Sequence, residues 1–182
     1  MNCKITDDFL DNETFQQLKS TILNPMFDWN YVPMTDSLGE DPKKSSGQFV
    51  HLAYANCVPR TTFFNSLLPV LNRLNVTTLN RVKLNLQPRT NQIVLGTSHV
   101  DMAGEMDLET MKTWTTSVYF INSNNGYTEF ESGERVESKE NRMVEFNSTT
   151  LHRGTTCTDE QTRVVINFNY LTLPQRKDLT KD

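Results

Sequence analysis

His99-Val100-Asp101 places an imidazole and a carboxylate two residues apart, just after Ile93-Val94-Leu95-Gly96, a run that reads as a strand. In an extended chain, positions i and i+2 leave the same face. Both side chains can therefore grip one metal ion while Val100 points into the opposite apolar layer. A third ligand must come from elsewhere, and the chain's histidines are His51, His99 and His152. His152 follows the last acidic loop and precedes a strongly β-prone C-terminal run. Two histidines and one carboxylate on one side of a metal, with the other positions open, suit an Fe(II) centre that handles oxygen. Eleven residues after His152, Arg163 opens the apolar run Val164 to Tyr170. A lone arginine at such a point has a specific use, because its planar fork can hold a carboxylate by two parallel hydrogen bonds inside a pocket.

Alone, the His-x-Asp spacing is weak: three histidines and 11 aspartates among 182 residues give roughly 0.2 such pairs by chance in an ordinary composition. The order of all four residues carries more information. The rival ligands fit less well. His51 has no second donor two residues away and reads as a histidine hydrogen-bonded at the edge of a sheet. Glu105 and Asp107 share no strand register with His99 and read as solvated loop carboxylates.

The order His99-x-Asp101, His152, Arg163 resembles the Fe(II)/2-oxoglutarate-dependent dioxygenases, and in detail their prolyl 4-hydroxylase-like branch, including forms carried by phages. The similarity runs from about Arg81 to Tyr170. Within it, Thr116 to Asn122 followed by Gly126-Tyr127-Thr128-Glu129-Phe130 resembles that branch's strand ending in Asn, acidic loop and Gly-x-Thr-x-Phe segment. Two departures are visible. Gln87 precedes Pro88 where relatives often place a tyrosine that touches 2-oxoglutarate, and Phe120 stands where some carry a second tyrosine.

The resemblance implies Fe(II) held by His99, Asp101 and His152, with the far carboxylate of 2-oxoglutarate on Arg163. It implies O2 as the oxidant and ascorbate as the reductant that keeps iron active. Thr128, Asn167 and Gln87 are the further candidates around the cosubstrate. The implied reaction hydroxylates a C–H bond, foremost in a prolyl residue of a peptide or protein, and releases succinate and CO2. A free amino acid or other small molecule is the alternative substrate, with Arg89 or Arg153 as a clamp for its carboxylate. A non-catalytic metal- or ligand-binding module on the same barrel is the alternative from another class. Nucleic-acid demethylases of the same superfamily would place a second arginine six residues after the first, where this chain has Asn169.

Length and composition agree with one domain. The 182 residues suffice for a sizeable core. With 36% hydrophobic residues and a mean hydropathy of −0.53, no apolar run approaches the ~18 residues of a membrane span. The acidic, polar N-terminus has no basic region followed by an apolar one, so no secretory signal is expected. Cys3, Cys57 and Cys157 are odd in number and far apart, which suggests reduced thiols in a cytoplasm, the host's if the chain is phage-encoded. A net charge of −4 and a pI near 5.4 argue against a nucleic-acid partner.

Residues 9–23 carry Phe15, Leu18 and Ile22 at helical spacing, with Asp11 or Asn12 as cap. Asn24 to Gly47 reads as a long loop whose Phe27, Trp29 and Tyr31 return to the core. Together with Met102 to Lys112 it forms the expected substrate wall. Gln48 to Tyr54 alternates as a strand. A second amphipathic helix starts at Pro59, and Pro69 should kink or split it. Leu79 to Leu86 alternates, setting Arg81, Lys83, Asn85 and Gln87 against Val82, Leu84 and Leu86. Trp114 to Asn122 and Tyr127 to Phe130 read as a hairpin around Asn124-Asn125-Gly126, followed by strands at Met143 to Phe146 and Arg163 to Tyr170.

The expected fold is mainly β: a double-stranded β-helix (jelly roll) with at least two supporting N-terminal helices. Helical support covers residues 1–75, the β core 76–172 and a polar tail 173–182.

Overall fold

The computed structural model describes residues 3–33 and 47–172. In chain order the elements are β1 (Cys3–Thr6), α1 (Asn12–Ile22), β2 (Asn30–Val32), β3 (Gln48–Ala55), β4 (Val58–Pro59), a 3₁₀ turn (Thr62–Leu67), α2 (Leu68–Arg73), β5 (Val76–Pro88), α3 (Leu108–Met111), β6 (Thr115–Phe120), β7 (Tyr127–Phe130), β8 (Arg135–Glu137), β9 (Arg142–Asn147), β10 (His152–Gly154) and β11 (Thr162–Thr172). A large antiparallel sheet has the order β1-β9-β6-β11-β5-β3-β2, with β4 on β3. A second sheet, β10-β7-β8, faces part of it. This is the expected jelly roll.

α1 forms because Phe15, Leu18 and Ile22 fall on one stripe, and all three are buried. Each such burial is worth on the order of 1.5–3 kcal/mol. Asp11 caps the helix by accepting from the Thr14 amide at 2.9 Å. Two cores result. One lies between the helices and the outer face of the large sheet and includes Val164, Ile166, Phe168 and Tyr170. The other lies between the sheets and includes Val118, Phe120, Phe130, Phe146 and Val165. Alternation along β11 therefore sends Arg163, Val165, Asn167 and Asn169 inward toward the small sheet.

Several sequence expectations change. The N-terminal part is not only helical, since β1, β2 and β3 all join the large sheet. Pro59 belongs to β4 rather than opening a helix, while Pro69 splits the segment into a 3₁₀ turn and α2, sitting in the first turn of the latter. Phe27 and Trp29 pack on the core, but Tyr31 is 61% exposed. The rest of that loop, residues 34–46, and the polar tail lie outside the described residues. No hairpin joins β6 to β7: β6 pairs with β9 and β11, and β7 pairs with β8 and β10. The Asn124-Asn125-Gly126 link crosses from one sheet to the other. A true tight hairpin lies further on, where Gly133 takes φ +83° between β7 and β8, a conformation that glycine adopts without penalty.

Candidate metal centre

The segment before His99 is not a regular strand. It runs antiparallel to residues 152–156 and is tied to them at alternate positions: Thr156 N to Val94 O at 3.0 Å, Gly96 N to Gly154 O at 2.9 Å, and His99 and His152 to each other. The close passage at Gly96 has no room to spare, because a Cβ there would lie 3.1 Å from the Gly154 carbonyl. The His99–His152 pair is an isolated antiparallel bridge, which puts both side chains on one face. Their ring centroids are 4.9 Å apart.

Asp101 arrives differently from the sequence expectation. The chain leaves extended geometry after His99 and turns over residues 101–106, so a turn, not strand alternation, swings the carboxylate back. Val100 is only half-buried, and the apolar anchor of the turn is Met102, fully buried. Arg81 on β5 secures the turn by donating Nη2 to the Asp101 carbonyl at 2.7 Å.

The ligand atoms of His99, Asp101 and His152 all lie within 4.8 Å of one another. Nδ1 of His99 is 2.9 Å from Thr97 O, and Nδ1 of His152 is 3.0 Å from Thr150 O. A carbonyl can only accept, so each Nδ1 carries the proton and each Nε2 presents its lone pair, as a metal requires. Asp101 Oδ1 stands 3.5 Å from His99 Nε2 and 4.0 Å from His152 Nε2. Burial pushes the Asp101 pKa up, but the positive charge that faces it, from either histidine when protonated and from Arg81 at 3.5 Å, outweighs burial and holds the carboxyl well below its usual range. Two neutral imidazoles and one carboxylate fit a divalent first-row metal.

β5 and β11 pair in a register that sets Gln87 beside Arg163, Asn85 beside Val165, Lys83 beside Asn167 and Arg81 beside Asn169. The polar side of β5 is therefore the pocket side. Lys83, Asn85 and Gln87 line one cavity of about 80 Å³ together with His99, Asp101, His152, Thr128, Asn167 and Arg163, open to solvent on one side.

Arg163 lines the same pocket and is 3% exposed. Its Nε donates to Ser138 Oγ at 2.8 Å and its Nη2 to Thr128 Oγ1 at 3.1 Å. The guanidinium carbon sits 5.6 Å from the centre of the Phe120 ring. Burial lowers its pKa to about 10, so it is a cation at neutral pH. Among the described residues no carboxylate pairs with it, and a buried charge without a counter-ion is costly. An anionic ligand group would supply the missing partner. Gly126 is what lets the side chain lie there, because a Cβ at that position would meet Arg163 Cδ at 2.7 Å and Thr156 O at 2.7 Å.

Of the sequence candidates, His99, Asp101, His152, Arg163, Thr128, Asn167 and Gln87 all line this one pocket. Gln87 donates Nε2 to Gln48 Oε1 at 3.1 Å, and Asn167 donates Nδ2 to Asp101 Oδ2 at 3.3 Å. Other candidates stand elsewhere. His51 is held by Asp28 O at 2.8 Å and Thr61 Oγ1 at 2.9 Å. Glu105 accepts from Asn80 and Arg81 on β5, and Asp107 caps α3 through Thr110 N at 2.9 Å. Arg153 is committed to Glu129, which also takes Arg135. Arg89 is exposed, and neither Arg89 nor Arg153 lines the pocket.

Three residues escaped sequence reasoning. Ser138 has no local signal, being brought to Arg163 by the crossover between sheets. Asn122 joins β6 to β11 by accepting from Val164 N at 2.9 Å and donating to Thr162 O at 2.7 Å. Asn169 donates to Asp101; alternation along β11 would give its face but not its partner.

No family model matches the chain, and no curated protein matches it in sequence. Solved structures do. An oxidoreductase of the 2OG-Fe(II) oxygenase family from Burkholderia pseudomallei superposes with a TM-score of 0.63 at 11% identity, covering 93% of this chain and 85% of the other. A prolyl-4-hydroxylase from Pseudomonas putida gives 0.58 at 11%, over 93% and 92%. HygX from Streptomyces hygroscopicus, solved with nickel and 2-oxoglutarate bound, gives 0.59 at 8%, over 94% and 83%. At such identities the likeness establishes the fold: this chain has the jelly roll of the 2OG-Fe(II) oxygenases. Its own His-Asp-His cluster fits iron.

Proposed function

We propose that this protein is an Fe(II)- and 2-oxoglutarate-dependent dioxygenase that hydroxylates a C–H bond. The observation that carries the reading is the pairing, within one pocket, of a His99-Asp101-His152 cluster with a buried arginine that has no carboxylate partner among the described residues. His99, Asp101 and His152 would hold the metal on one side, leaving the positions toward the pocket for ligands. Arg163, oriented by Ser138 and Thr128, would bind the far carboxylate of 2-oxoglutarate.

Charge supports the match. A divalent metal on two neutral histidines and Asp101 is a net cation, Arg163 is a second, and 2-oxoglutarate is a dianion. When bound, iron, 2-oxoglutarate and O2 supply oxidative decarboxylation to succinate and CO2 coupled to substrate hydroxylation. The protein's part is to bind, orient and enclose: Val118 and Val165 give the pocket apolar wall, and Asn85, Gln87 and Gln48 line its other side. Ascorbate belongs in the assay as reductant.

For the substrate we propose a prolyl residue in a peptide. A free amino acid needs a carboxylate clamp; Arg89 and Arg153 do not line the pocket, and Lys83, which does, is already engaged. The test incubates the protein with Fe(II), ascorbate, 2-oxoglutarate and air, and measures succinate with and without proline-containing peptides or free L-proline. Succinate release that depends on Fe(II) is expected, with a gain of 16 Da on a peptide. Metal binding without any succinate would instead make this a non-catalytic binding module. Oxidation of free proline alone would reverse the substrate assignment.

A further inference from the structure

The Asp101 carboxylate is held asymmetrically. Oδ2 accepts from Asn169 Nδ2 at 3.1 Å and from Asn167 Nδ2 at 3.3 Å. Oδ1 takes neither amide; it faces the two histidine Nε2 atoms, with Arg81 Nη2 also 3.5 Å away. The two asparagines differ in what else they do. Asn167 also accepts from Asn85 at 3.4 Å, so both ends of its amide are used. Asn169 is fully buried, and its single Nδ2 serves both Asp101 and Thr116 Oγ1, the latter at 3.0 Å. Its own Oδ1 is buried with no hydrogen-bond partner. Reversing the amide would set that oxygen against the carboxylate, so the orientation is dictated by Asp101. Thr116 is braced in turn by Ser148 Oγ at 2.9 Å.

A buried acceptor left empty lowers stability, and only the Nδ2 bonds to Asp101 and Thr116 offset it. Asn169 is thus a poor choice for the core and a good one for its neighbour. We infer that Asn169 is a positioning residue for the metal centre: it pins Asp101 Oδ2 so that the carboxylate engages the ion through Oδ1 alone. A carboxylate free to rotate could chelate with both oxygens and take up a position meant for cosubstrate or O2. This inference rests on the metal-centre reading above and assigns a role to a residue that holds a ligand without being one.

The test compares wild type with Asn169→Leu, of similar volume, and Asn169→Asp, of equal shape but lacking the donor. Mn(II) serves as the probe, read by calorimetry and by its electron paramagnetic resonance lineshape, alongside the melting temperature of the metal-free protein. The expected result is an Mn(II) Kd weaker by about 10- to 100-fold in both variants, an altered Mn(II) lineshape, and a melting temperature of metal-free Asn169→Leu within a few degrees of wild type. Mn(II) affinity within twofold of wild type in either folded variant, with the same lineshape, would overturn the inference. So would an affinity loss matched by a fall in melting temperature in Asn169→Leu, with Asn169→Asp binding normally. A wild-type protein that fails to bind Mn(II) would remove the metal-centre reading itself, an outcome distinct from the variant failing alone.

Discussion

His99 and His152 donate their backbone amides to each other's carbonyl oxygens, both at 3.0 Å. This reciprocal bridge brings together two imidazoles 53 positions apart in the sequence and supports them with backbone alone. Because the bridge does not involve the rings, removing a ring should not remove the bridge. His152→Ala and Asp101→Ala are therefore expected to fold and to lose Mn(II) binding by at least ~100-fold, measured by calorimetry. Metal affinity unchanged in both would exclude this cluster as the centre.

Arg163 is a buried cation whose Nε and Nη2 donate to hydroxyls, so its removal should separate ligand binding from folding. Arg163→Met should weaken 2-oxoglutarate binding to the Mn(II)-loaded protein by about 2–4 kcal/mol, ~30- to 1,000-fold. The melting temperature should stay within a few degrees of wild type, since an apolar side chain replaces a desolvated charge. Equal 2-oxoglutarate affinity in the variant would leave Arg163 a structural residue.

Gly126 should act on the same ligand from behind. A methyl group at this position needs space held by Arg163 Cδ and by the Thr156 carbonyl, of which only the first can move. Gly126→Ala is expected to cost roughly 1–3 kcal/mol of stability and to raise the 2-oxoglutarate Kd as Arg163 is displaced. Chemical denaturation and calorimetry read the two effects. A variant as stable as wild type with the same Kd would show that the crossover has slack.

Acid should reveal the ladder on the small sheet. Glu129 on β7 is held below its ordinary pKa chiefly by Arg153 on β10 and then by Arg135 on β8. A carboxylate with a depressed folded pKa contributes stability in full above its unfolded value of about 4.3, and loses it as pH falls through the folded value. The melting temperature of Glu129→Gln should consequently depend less on pH than wild type below about pH 5. Parallel curves for the two proteins would contradict this.

What the chain makes legible on its own is local. Alternation marked β5, β-prone residues marked β11, helical spacing and a cap marked α1, and residue types in order singled out His99, Asp101, His152 and Arg163, because periodicity and donor chemistry are properties of a few neighbouring residues. The polar side of β5 could be seen to exist, but whether it faced solvent or a pocket depended on which strand lay beside it. Pairing with β11 decided that, and put Gln87 next to Arg163. Likewise Asn124-Asn125-Gly126 carries a hairpin's residues and makes a crossover, because Tyr127 to Glu129 find partners on β8 and β10 instead of on β6. Asp101 reaches the histidines by a turn that Arg81 secures from another strand. Asn169 reads in sequence as an asparagine where another family would carry arginine, and only packing turns it into a donor to Asp101. Sequence specifies which groups exist and which way each strand alternates. Long-range pairing, whose register no local pattern encodes, specifies which of those groups meet.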